Sequence, residues 1–207
     1  MGKAYVEEER RQIRTKLLEA GLELFHDQGV RRISIRELTK RAGIAQGGFY
    51  NFFPDKDTLV IELIHYRAEQ KMDIYEKAFN QSLQEPAAFV SNAIFRMSWD
   101  LKQKAEHKQM YADILHLFLK KKPSEREKLY AVFYSTLQKL TDYWKEHGLS
   151  VQVDIQGIMN VIKGAFILYA NLNQFDQKYS ESLLRTFIYD NCRKYIREAG
   201  EETYIDD

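Results

Sequence analysis

The side chains best suited to hydrogen-bonding chemistry are gathered between residues 29 and 59. Gln46 is followed there by Gly47 and Gly48, so an amide side chain stands beside two positions without side-chain bulk. A glutamine amide can bond bidentately to the edge of adenine, and an arginine such as Arg36 can do so with guanine. Each glycine in a helix costs about 1 kcal/mol relative to alanine, so a purely structural helix would not favour two of them. The pattern indicates a helix that brings its backbone against nucleobases.

Two short helices joined by a glycine turn must position these side chains. Ser34 and Glu37 have the spacing of a capping box, which predicts that the first helix starts at Ser34. Gly43 stands where the chain needs a left-handed residue to leave that helix. The second helix is expected to begin near Ala45 and to end at Pro54. This layout is typical of a helix-turn-helix that lies in the major groove of DNA.

The neighbouring helices supply the support for this motif. Phe49 and Phe53, four residues apart, would anchor the second helix, while Asp55 would cap a third helix that carries Lys56 in its first turn. An apolar stripe predicts an earlier helix through the following residues: Ile13, Leu17, Ala20, Leu24 and Phe25. Ahead of it we expect an arm with three arginines, which either contact phosphates or are simply solvated, and we favour solvation: Arg10, Arg11 and Arg14.

The same residues allow a second interpretation, a helical hairpin with a merely solvated basic face. Residues 1–56 hold 11 Lys+Arg and 8 Asp+Glu, a net charge of +3, and the remainder of the chain has a net charge of −2. This asymmetry is mild compared with the basic footprint of many DNA-binding domains. Charge alone therefore leaves both interpretations open.

The combined spacing resembles the DNA-binding domain of the tetracycline-repressor-like (TetR) family of bacterial regulators, over roughly residues 10–65. The matching pieces are residues 13–25 with Gly29, residues 34–38, residues 42–44, residues 47–50, Phe53, and residues 56–59. Four positions correspond to groove-facing residues of the family: Arg36, Gln46, Gly47 and Gly48. Four correspond to phosphate-contacting residues: Ser34, Tyr50, Asn51 and Lys56. The chemistry agrees, because hydroxyl, amide and ammonium groups all suit phosphate oxygens.

Two positions depart from the pattern of the family. Ala45 stands where a hydroxyl cap is frequent, so the start of the second helix is less well defined. Phe52 stands where a polar side chain or a histidine is frequent, so the resemblance implies no phosphate contact there.

The whole chain excludes several classes of protein. Its 207 residues, of which 44% are hydrophobic, are enough for one large or two modest domains with a real core. The single cysteine excludes an internal disulfide framework, and no Cys/His grouping has metal-ligand spacing, so neither a metal nor a cofactor is expected. The sequence has no apolar run long enough to span a bilayer and no secretory apolar segment, so we expect a cytoplasmic protein without membrane contact.

Helical periodicity continues to the end of the chain and predicts an all-α fold of about nine helices. Residues 1–56 would form a three-helix DNA-binding domain, and residues 57–207 a helical domain for effector binding and dimerisation. Further helices are expected over residues 56–82, 86–103, 106–120, 123–148, 154–173 and 180–199. Val151 and Val153 are too brief an alternation to predict a sheet.

The last two helices, 154–173 and 180–199, carry wide apolar stripes. The resemblance implies that they form a symmetric homodimer interface, which would set two recognition helices about 34–36 Å apart for successive major grooves. The alternative is that both helices are internal core, with Cys192 as a small buried hydrophobe. Aromatic residues of the second domain predict an effector pocket: Phe89, Phe95, Trp99, Tyr111, Phe118, Phe133, Tyr134, Phe166 and Tyr169. Aromatic stripes at helical spacing can equally be core.

The function expected from these features is a transcriptional repressor that a small apolar or aromatic effector releases from a palindromic double-stranded DNA operator. Repression rather than activation follows only from the tendency of the family. No nucleophile–base pair, carboxylate dyad or phosphate loop stands out, so no catalytic residue and no enzyme activity are predicted. Two alternatives stay open: a helical metabolite-binding protein or enzyme without a DNA-binding role, and a structural DNA-binding dimer without an effector.

Overall fold

The computed structural model describes residues 6–28, 34–107 and 123–198. Within these ranges the chain forms seven α-helices: α1 (Glu7–Gln28), α2 (Ile35–Ala42), α3 (Lys56–Glu76), α4 (Pro86–His107), α5 (Pro123–Glu146), α6 (Ile155–Ala170) and α7 (Gln177–Tyr195). Three 3-10 helices accompany them: η1 (Gln46–Asn51), η2 (Phe79–Ser82) and η3 (Leu172–Gln174). Two short strands complete the described chain: β1 (Val151–Val153) and β2 (Ile196–Glu198). The predicted all-helical class is confirmed.

The chain divides into two compact units. Unit 1 comprises residues 1–70 and 104–129, and unit 2 comprises residues 71–103 and 130–207. The first division falls within α3, whereas the sequence placed the domain boundary after residue 56; that boundary stays a prediction. The predicted helix 106–120 lies almost entirely outside the described residues.

Unit 1 is built around a core of side chains from α1, α2, η1 and the first turns of α3. The predicted apolar stripe of α1 is confirmed, since Ile13, Leu17, Ala20, Leu24 and Phe25 are all buried. α1 begins at Glu7, however, so the three arginines that the sequence placed in a preceding arm belong to the helix itself. Three glutamates in the first turn favour this early start, because carboxylates stabilise the positive end of the helix dipole.

The two strands correct the expectation of a chain without sheet. β1 and β2 pair antiparallel, with Val151 opposite Glu198 and Val153 opposite Ile196. α7 therefore ends at Tyr195, short of the predicted residue 199. The Val-Gln-Val alternation suits a strand, but a strand of three residues forms only with a partner. That partner lies more than forty residues along the chain, where local patterns give no signal.

Local capping rules succeed at one of the two C-terminal helices. Asp154 caps α6 as predicted, and its carboxylate accepts from the Gly157 N–H at 2.8 Å. Ser180 does not cap α7, which starts three residues earlier: Asp176 is the cap and accepts from the Lys178 N–H at 2.9 Å. Ser180 is buried within the helix, and its hydroxyl donates to the Asp176 carbonyl at 3.3 Å. Asp176 and Ser180 are both good caps, and the earlier one prevails because Ser180 fits the buried side of α7.

Other predicted helix ends are partly confirmed. The helix expected over 56–82 ends at Glu76 and is followed by η2. Pro86 opens α4, as predicted. Ser124 and Glu127 have the spacing of a capping box, which predicts a cap at Ser124, but α5 begins one residue earlier, at Pro123. Gly148, at φ +77°, follows the end of α5 in the left-handed region. α4 continues past the predicted end at residue 103 to His107.

Unit 2 brings α6 and α7 together through two glycines. A Cβ atom at Gly164 would lie 2.7 Å from the Phe187 ring, and one at Gly157 would overlap the Tyr195 ring. The helix backbones can approach only because both positions lack a side chain. Cys192 is buried on the inner side of α7, and burial raises the pKa of its thiol to about 12. The thiol is therefore protonated and unreactive at neutral pH, in agreement with its interpretation as a small hydrophobe.

We expect Gly157→Ala to lower the free energy of unfolding by about 1–3 kcal/mol, since the added methyl group overpacks the contact with the Tyr195 ring. Urea unfolding at fixed protein concentration measures this change. Gly47→Ala is the matched control, because nothing lies within 4 Å of a Cβ atom at that position. Equal midpoints for Gly157→Ala and the wild-type protein would show that the α6–α7 contact is looser than described.

Candidate nucleic-acid interface

α2 begins at Ser34, but the predicted capping box is not formed. Ser34 has the extended backbone of an N-cap, and its carbonyl accepts from the N–H groups of Glu37 and Leu38 at 3.0 and 3.1 Å. Its hydroxyl makes no capping hydrogen bond. Glu37 instead pairs with Arg41 at 3.3 Å, one turn further along α2. The hydroxyl of Ser34 is therefore exposed and available to a ligand.

The turn between α2 and η1 follows the prediction. Gly43 has φ +73° and ψ +28°, the left-handed conformation that glycine adopts without steric cost. Its N–H donates to the Lys40 carbonyl at 3.3 Å, and the Ile44 N–H donates to the Thr39 carbonyl at 2.9 Å. These bonds satisfy carbonyls that the end of α2 would leave unpaired. Ile44 then packs against the core of unit 1, which fixes the direction in which η1 leaves.

The second helix of the motif is the 3-10 helix η1. Phe49 and Phe53 are 0% and 1% exposed, with ring centres 5.6 Å apart, so the predicted anchors are confirmed. Because these two side chains point inwards, the intervening and preceding residues face outwards. Gln46, Tyr50 and Asn51 are all exposed, Tyr50 to 58%. The cap position Ala45 supplies no side-chain hydrogen bond, but its carbonyl accepts from the Gly48 N–H at 2.8 Å, the bond of a 3-10 turn.

Nothing in the described structure requires glycine at positions 47 and 48. Gly47 would have no heavy atom within 4 Å of an added Cβ, and Gly48 would meet only the Ile44 side chain at 3.5 Å, an ordinary contact. Neither residue has a positive φ, unlike Gly43. The pair therefore leaves a bare stretch of backbone on the outer side of the motif without any benefit to folding.

The remaining predicted DNA contacts flank this bare stretch. Arg36 is exposed on the first turn of α2. Lys56 is half-buried at the start of α3, directly after Asp55, whose carboxylate caps that helix by accepting from the Thr58 N–H at 2.6 Å. The predicted cap at Asp55 is thus confirmed. Hydroxyl, amide and cationic groups therefore stand before, within and after η1, on three successive elements.

The sequence favoured solvated arginines at the start of the chain and did not predict how α1 packs at this surface. The Arg10 guanidinium donates to the Asn51 carbonyl at 3.1 Å and lies 5.2 Å from the centre of the Phe52 ring. Arg14 pairs with Glu62 of α3 at 2.6 Å. Arg10 therefore holds α1 against the end of η1, and Arg14 holds it against α3. These contacts correct the expectation of a solvated arm.

The predicted effector residues are scattered through unit 2. Phe95 is buried and stacks on Trp99 at 5.8 Å, with the Arg185 guanidinium 3.9 Å from its ring centre. Tyr169 is buried, whereas Tyr134 is 40% exposed. Phe166 lies 6.5 Å from the Phe133 ring. Tyr111 and Phe118 lie outside the described residues.

A small apolar cavity lies in unit 2, and two of the aromatic residues predicted to line a pocket, Phe89 and Phe133, line it. Its volume is about 40 Å³, and its lining also includes Met72 and Tyr75 of α3 and Ile162 of α6. The other predicted pocket residues that the structure describes are not among those that line it. A drug-sized ligand needs about 300 Å³ or more, so the cavity is too small for such a ligand as it stands.

The geometry described above defines a helix-turn-helix domain. Residues 17–63 match the family model of the bacterial regulatory proteins of the tetR family. A curated relative, the uncharacterized HTH-type transcriptional regulator YuxN of Bacillus subtilis (strain 168), is 31% identical over 67 residues. That alignment covers 32% of this chain and 21% of YuxN, so the matched part spans only about a fifth of the relative.

Solved structures extend the similarity to the rest of the fold. A TetR transcriptional regulator from Rhodococcus sp. RHA1 has a TM-score of 0.65 at 19% identity, over 89% of this chain and 97% of that one. RolR in complex with resorcinol has a TM-score of 0.60 at 16% identity, over 92% of this chain and 90% of that one. At such identities the likeness concerns the fold. The chain thus matches the tetR family of bacterial regulatory proteins over residues 17–63, and its described residues have a fold like that of TetR regulators.

The described residues contain neither a membrane-spanning helix nor a group of side chains that could bind a metal ion. No helix among residues 6–28, 34–107 and 123–198 is long and apolar enough to cross a membrane. In the same part of the chain, no three His, Cys, Asp or Glu side chains are grouped so that they could hold a metal ion.

Substitution by alanine should affect the free energy of unfolding differently at Gly43, in the turn, and at Gly47, in η1. Gly43→Ala forces a side chain into the left-handed region and should lower the free energy of unfolding by about 1–2 kcal/mol. Gly47→Ala should leave it unchanged or raise it by up to about 1 kcal/mol, because the site is open and alanine is the better helix former. Urea unfolding of both variants decides the matter, and a destabilised Gly47→Ala would reveal a structural need for glycine 47.

Proposed function

We propose that this chain binds double-stranded DNA with sequence preference and regulates transcription, as a repressor that leaves a palindromic operator when a small effector binds. The observation that supports this proposal most strongly is the bare backbone at Gly47 and Gly48. Both positions cost helix stability, neither meets a steric or conformational need for glycine, and both lie on the outer side of a well-anchored helix. A ligand surface that must be approached closely accounts for them, and the major groove is such a surface.

The proposed contacts divide by chemistry. Gln46 and Arg36 would read base edges, since their amide and guanidinium groups match adenine and guanine, and Gly47 and Gly48 would allow the backbone to approach. Phosphate contacts would come from exposed or half-buried polar side chains around η1: Ser34, Tyr50, Asn51 and Lys56. These contacts would fix the register of the motif on the duplex without reading its sequence.

A homodimer formed through α6 and α7 belongs to the proposal. Five large apolar or aromatic side chains are exposed on these helices and on the turn between them: Ile167 at 60%, Phe175 at 45%, Tyr179 at 57%, Leu183 at 37% and Tyr189 at 41%. Covering such side chains is favourable, by about 25 cal/mol per Å² of apolar area. A symmetric contact through α6 and α7 would bury them and present two η1 helices to one duplex.

The effector would be a small apolar or aromatic molecule held in unit 2. The similar protein RolR is known with resorcinol, a small aromatic molecule, which supports this ligand class. Phe95, Trp99, Phe166 and Tyr169 are candidate contacts, and the closed apolar cavity is a second candidate position. Met72 and Tyr75 of α3 line that cavity, and Lys56 begins the same helix. An effector that widens the cavity would displace α3, but it changes DNA affinity only if it prefers one of the two states.

The proposal contains no catalytic role and no cofactor, and it places the protein in the cytoplasm, where bacterial DNA is found. Selection of duplexes from a random-sequence pool by the purified full-length protein tests its core. We expect enrichment of palindromic sites, whose affinity falls steeply with salt because of phosphate contacts. A screen of apolar and aromatic molecules against the bound complex then tests effector release. A protein that enriches no sequence would be a metabolite-binding protein or enzyme, and one that no effector releases would be a structural DNA-binding dimer.

Gln46→Ala and Lys56→Gln should separate base reading from phosphate contact. Losing a bidentate base contact costs about 1–3 kcal/mol of discrimination, so Gln46→Ala should bind the selected duplex more weakly while scrambled DNA binds as before. Lys56→Gln should weaken binding to both duplexes alike and reduce the salt dependence. Fluorescence anisotropy with both duplexes measures these changes. An equal loss on both duplexes for Gln46→Ala would contradict its proposed role.

Leu183→Glu should dissociate the proposed dimer. The substitution places one carboxylate from each copy in the apolar contact, which is costly without a partner, while the partly exposed side chain contributes little to folding of the single chain. Analytical ultracentrifugation should show that the dissociation constant of the dimer rises more than tenfold. Ile74→Glu, at a 65% exposed position of α3, is the control and should leave the dimer intact. Dimers of unchanged strength in Leu183→Glu would place the interface elsewhere.

A further inference from the structure

Arg10 lies at the C-terminal end of η1 although it belongs to α1. Its guanidinium donates to the Asn51 carbonyl at 3.1 Å, across 41 residues of sequence. The same guanidinium lies 5.2 Å from the centre of the Phe52 ring, within the range of a cation–π contact. Hydrogen bond and ring thus fix the group from two directions beside the last residues of η1.

The charge of Arg10 is not neutralised within the part of the chain that the structure describes. Arg11 pairs with Glu8, and Arg14 pairs with Glu62 at 2.6 Å. Arg10 has no carboxylate within ion-pairing distance among the described residues, and it is exposed. A guanidinium has five N–H donors, and the bond to the Asn51 carbonyl uses one of them. A full positive charge and several donors therefore remain on the surface next to Asn51.

These properties suit one class of ligand group. A guanidinium binds phosphate through parallel N–H···O bonds in a planar, bidentate geometry. Free arginine side chains lose about 1.5–2 kcal/mol of rotamer entropy on becoming ordered, and a group that is already held by a ring and a carbonyl loses less. Asn51, whose carbonyl holds Arg10, is itself proposed to contact phosphate, as is the exposed Tyr50 that precedes it in η1.

We propose that Arg10 contacts a backbone phosphate of the bound duplex and that the Asn51 carbonyl and the Phe52 ring position it for this contact. The inference rests on the proposed DNA-binding function and adds α1 to the elements that hold the duplex. The phosphate contacts would then come from the start of α2, from the C-terminal end of η1, from α1 and from the start of α3. Phe52, which cannot itself bond to phosphate, acquires a role as the platform for Arg10.

The test compares Arg10→Gln with Arg11→Gln on the duplex that the wild-type protein selects from a random-sequence pool. Each phosphate contact contributes about 0.9 to the slope of log affinity against log salt, so losing one per copy should reduce the slope of a dimer by about 1.8. Affinity at moderate salt should fall by about tenfold or more. Arg11 is one residue away, 70% exposed and paired with Glu8, so Arg11→Gln should change neither quantity.

Two further variants separate contact from positioning. Arg10→Lys keeps the charge but loses the planar fork, so the salt slope should stay near that of the wild-type protein while affinity falls. Phe52→Leu keeps an apolar side chain but removes the ring face, and it should weaken binding severalfold with the slope retained. Thermal unfolding of all variants verifies that each is folded.

A wild-type slope in Arg10→Gln would overturn the inference even if affinity dropped, because Arg10 would then only brace η1. An equal loss of slope in Arg11→Gln would overturn it as well, since the effect would reflect the net charge of α1. A wild-type protein that selects no duplex would refute the proposed function itself, an outcome that the wild-type measurement alone distinguishes from failure at Arg10.

Discussion

The burial of Phe49 and Phe53 is the interaction on which the candidate interface depends. η1 is only six residues long, and a helix of that length is not stable by itself in water. Two fully buried aromatic side chains, each contributing about 1.5–3 kcal/mol of transfer free energy, hold it to the core of unit 1. Because the inner side of η1 carries all of this stabilisation, its outer side can carry glycine and polar residues. The same anchoring determines which backbone atoms face outwards, and hence which could approach a duplex.

Features set by a few consecutive residues were predictable, and features set by distant partners were not. The left-handed turn at Gly43 follows from the steric freedom of glycine, and the helix cap at Asp154 follows from its carboxylate. Both are local properties. The pairing of residues 151–153 with 196–198 joins segments that each look unremarkable alone. Ser34 shows an intermediate case: it is the N-cap as predicted, but Glu37 prefers Arg41, so the reciprocal bonds of a capping box are absent.

In the candidate interface, too, some features follow from local spacing and others depend on contacts between distant residues. The spacing of Phe49 and Phe53 predicted which side of this segment faces inwards, because residues four apart share one side of an α-helix, although Phe53 lies two residues beyond the end of the 3-10 helix η1. The position of Arg10 could not, since it depends on how α1 packs against the end of η1, a contact between residues 41 apart. Its sequence neighbours gave no sign, as three arginines within five residues look alike until their partners are known. Arg11 and Arg14 have carboxylate partners, and Arg10 has a carbonyl and a ring.

Effector control of such an interface requires little energy. A ligand at 100 times its dissociation constant, binding only one of two states, stabilises that state by about 2.7 kcal/mol, which corresponds to about a hundredfold in affinity. The loss of one phosphate contact per copy in a dimer would have a similar magnitude. A small displacement that breaks one contact in each half of the duplex would therefore suffice. This favours a ligand site that is closed at rest, because a cavity of about 40 Å³ must deform to admit a ligand, and its walls include α3. A preformed, rigid pocket of full size would bind the same molecule without moving that helix, and its occupancy would leave DNA affinity unchanged.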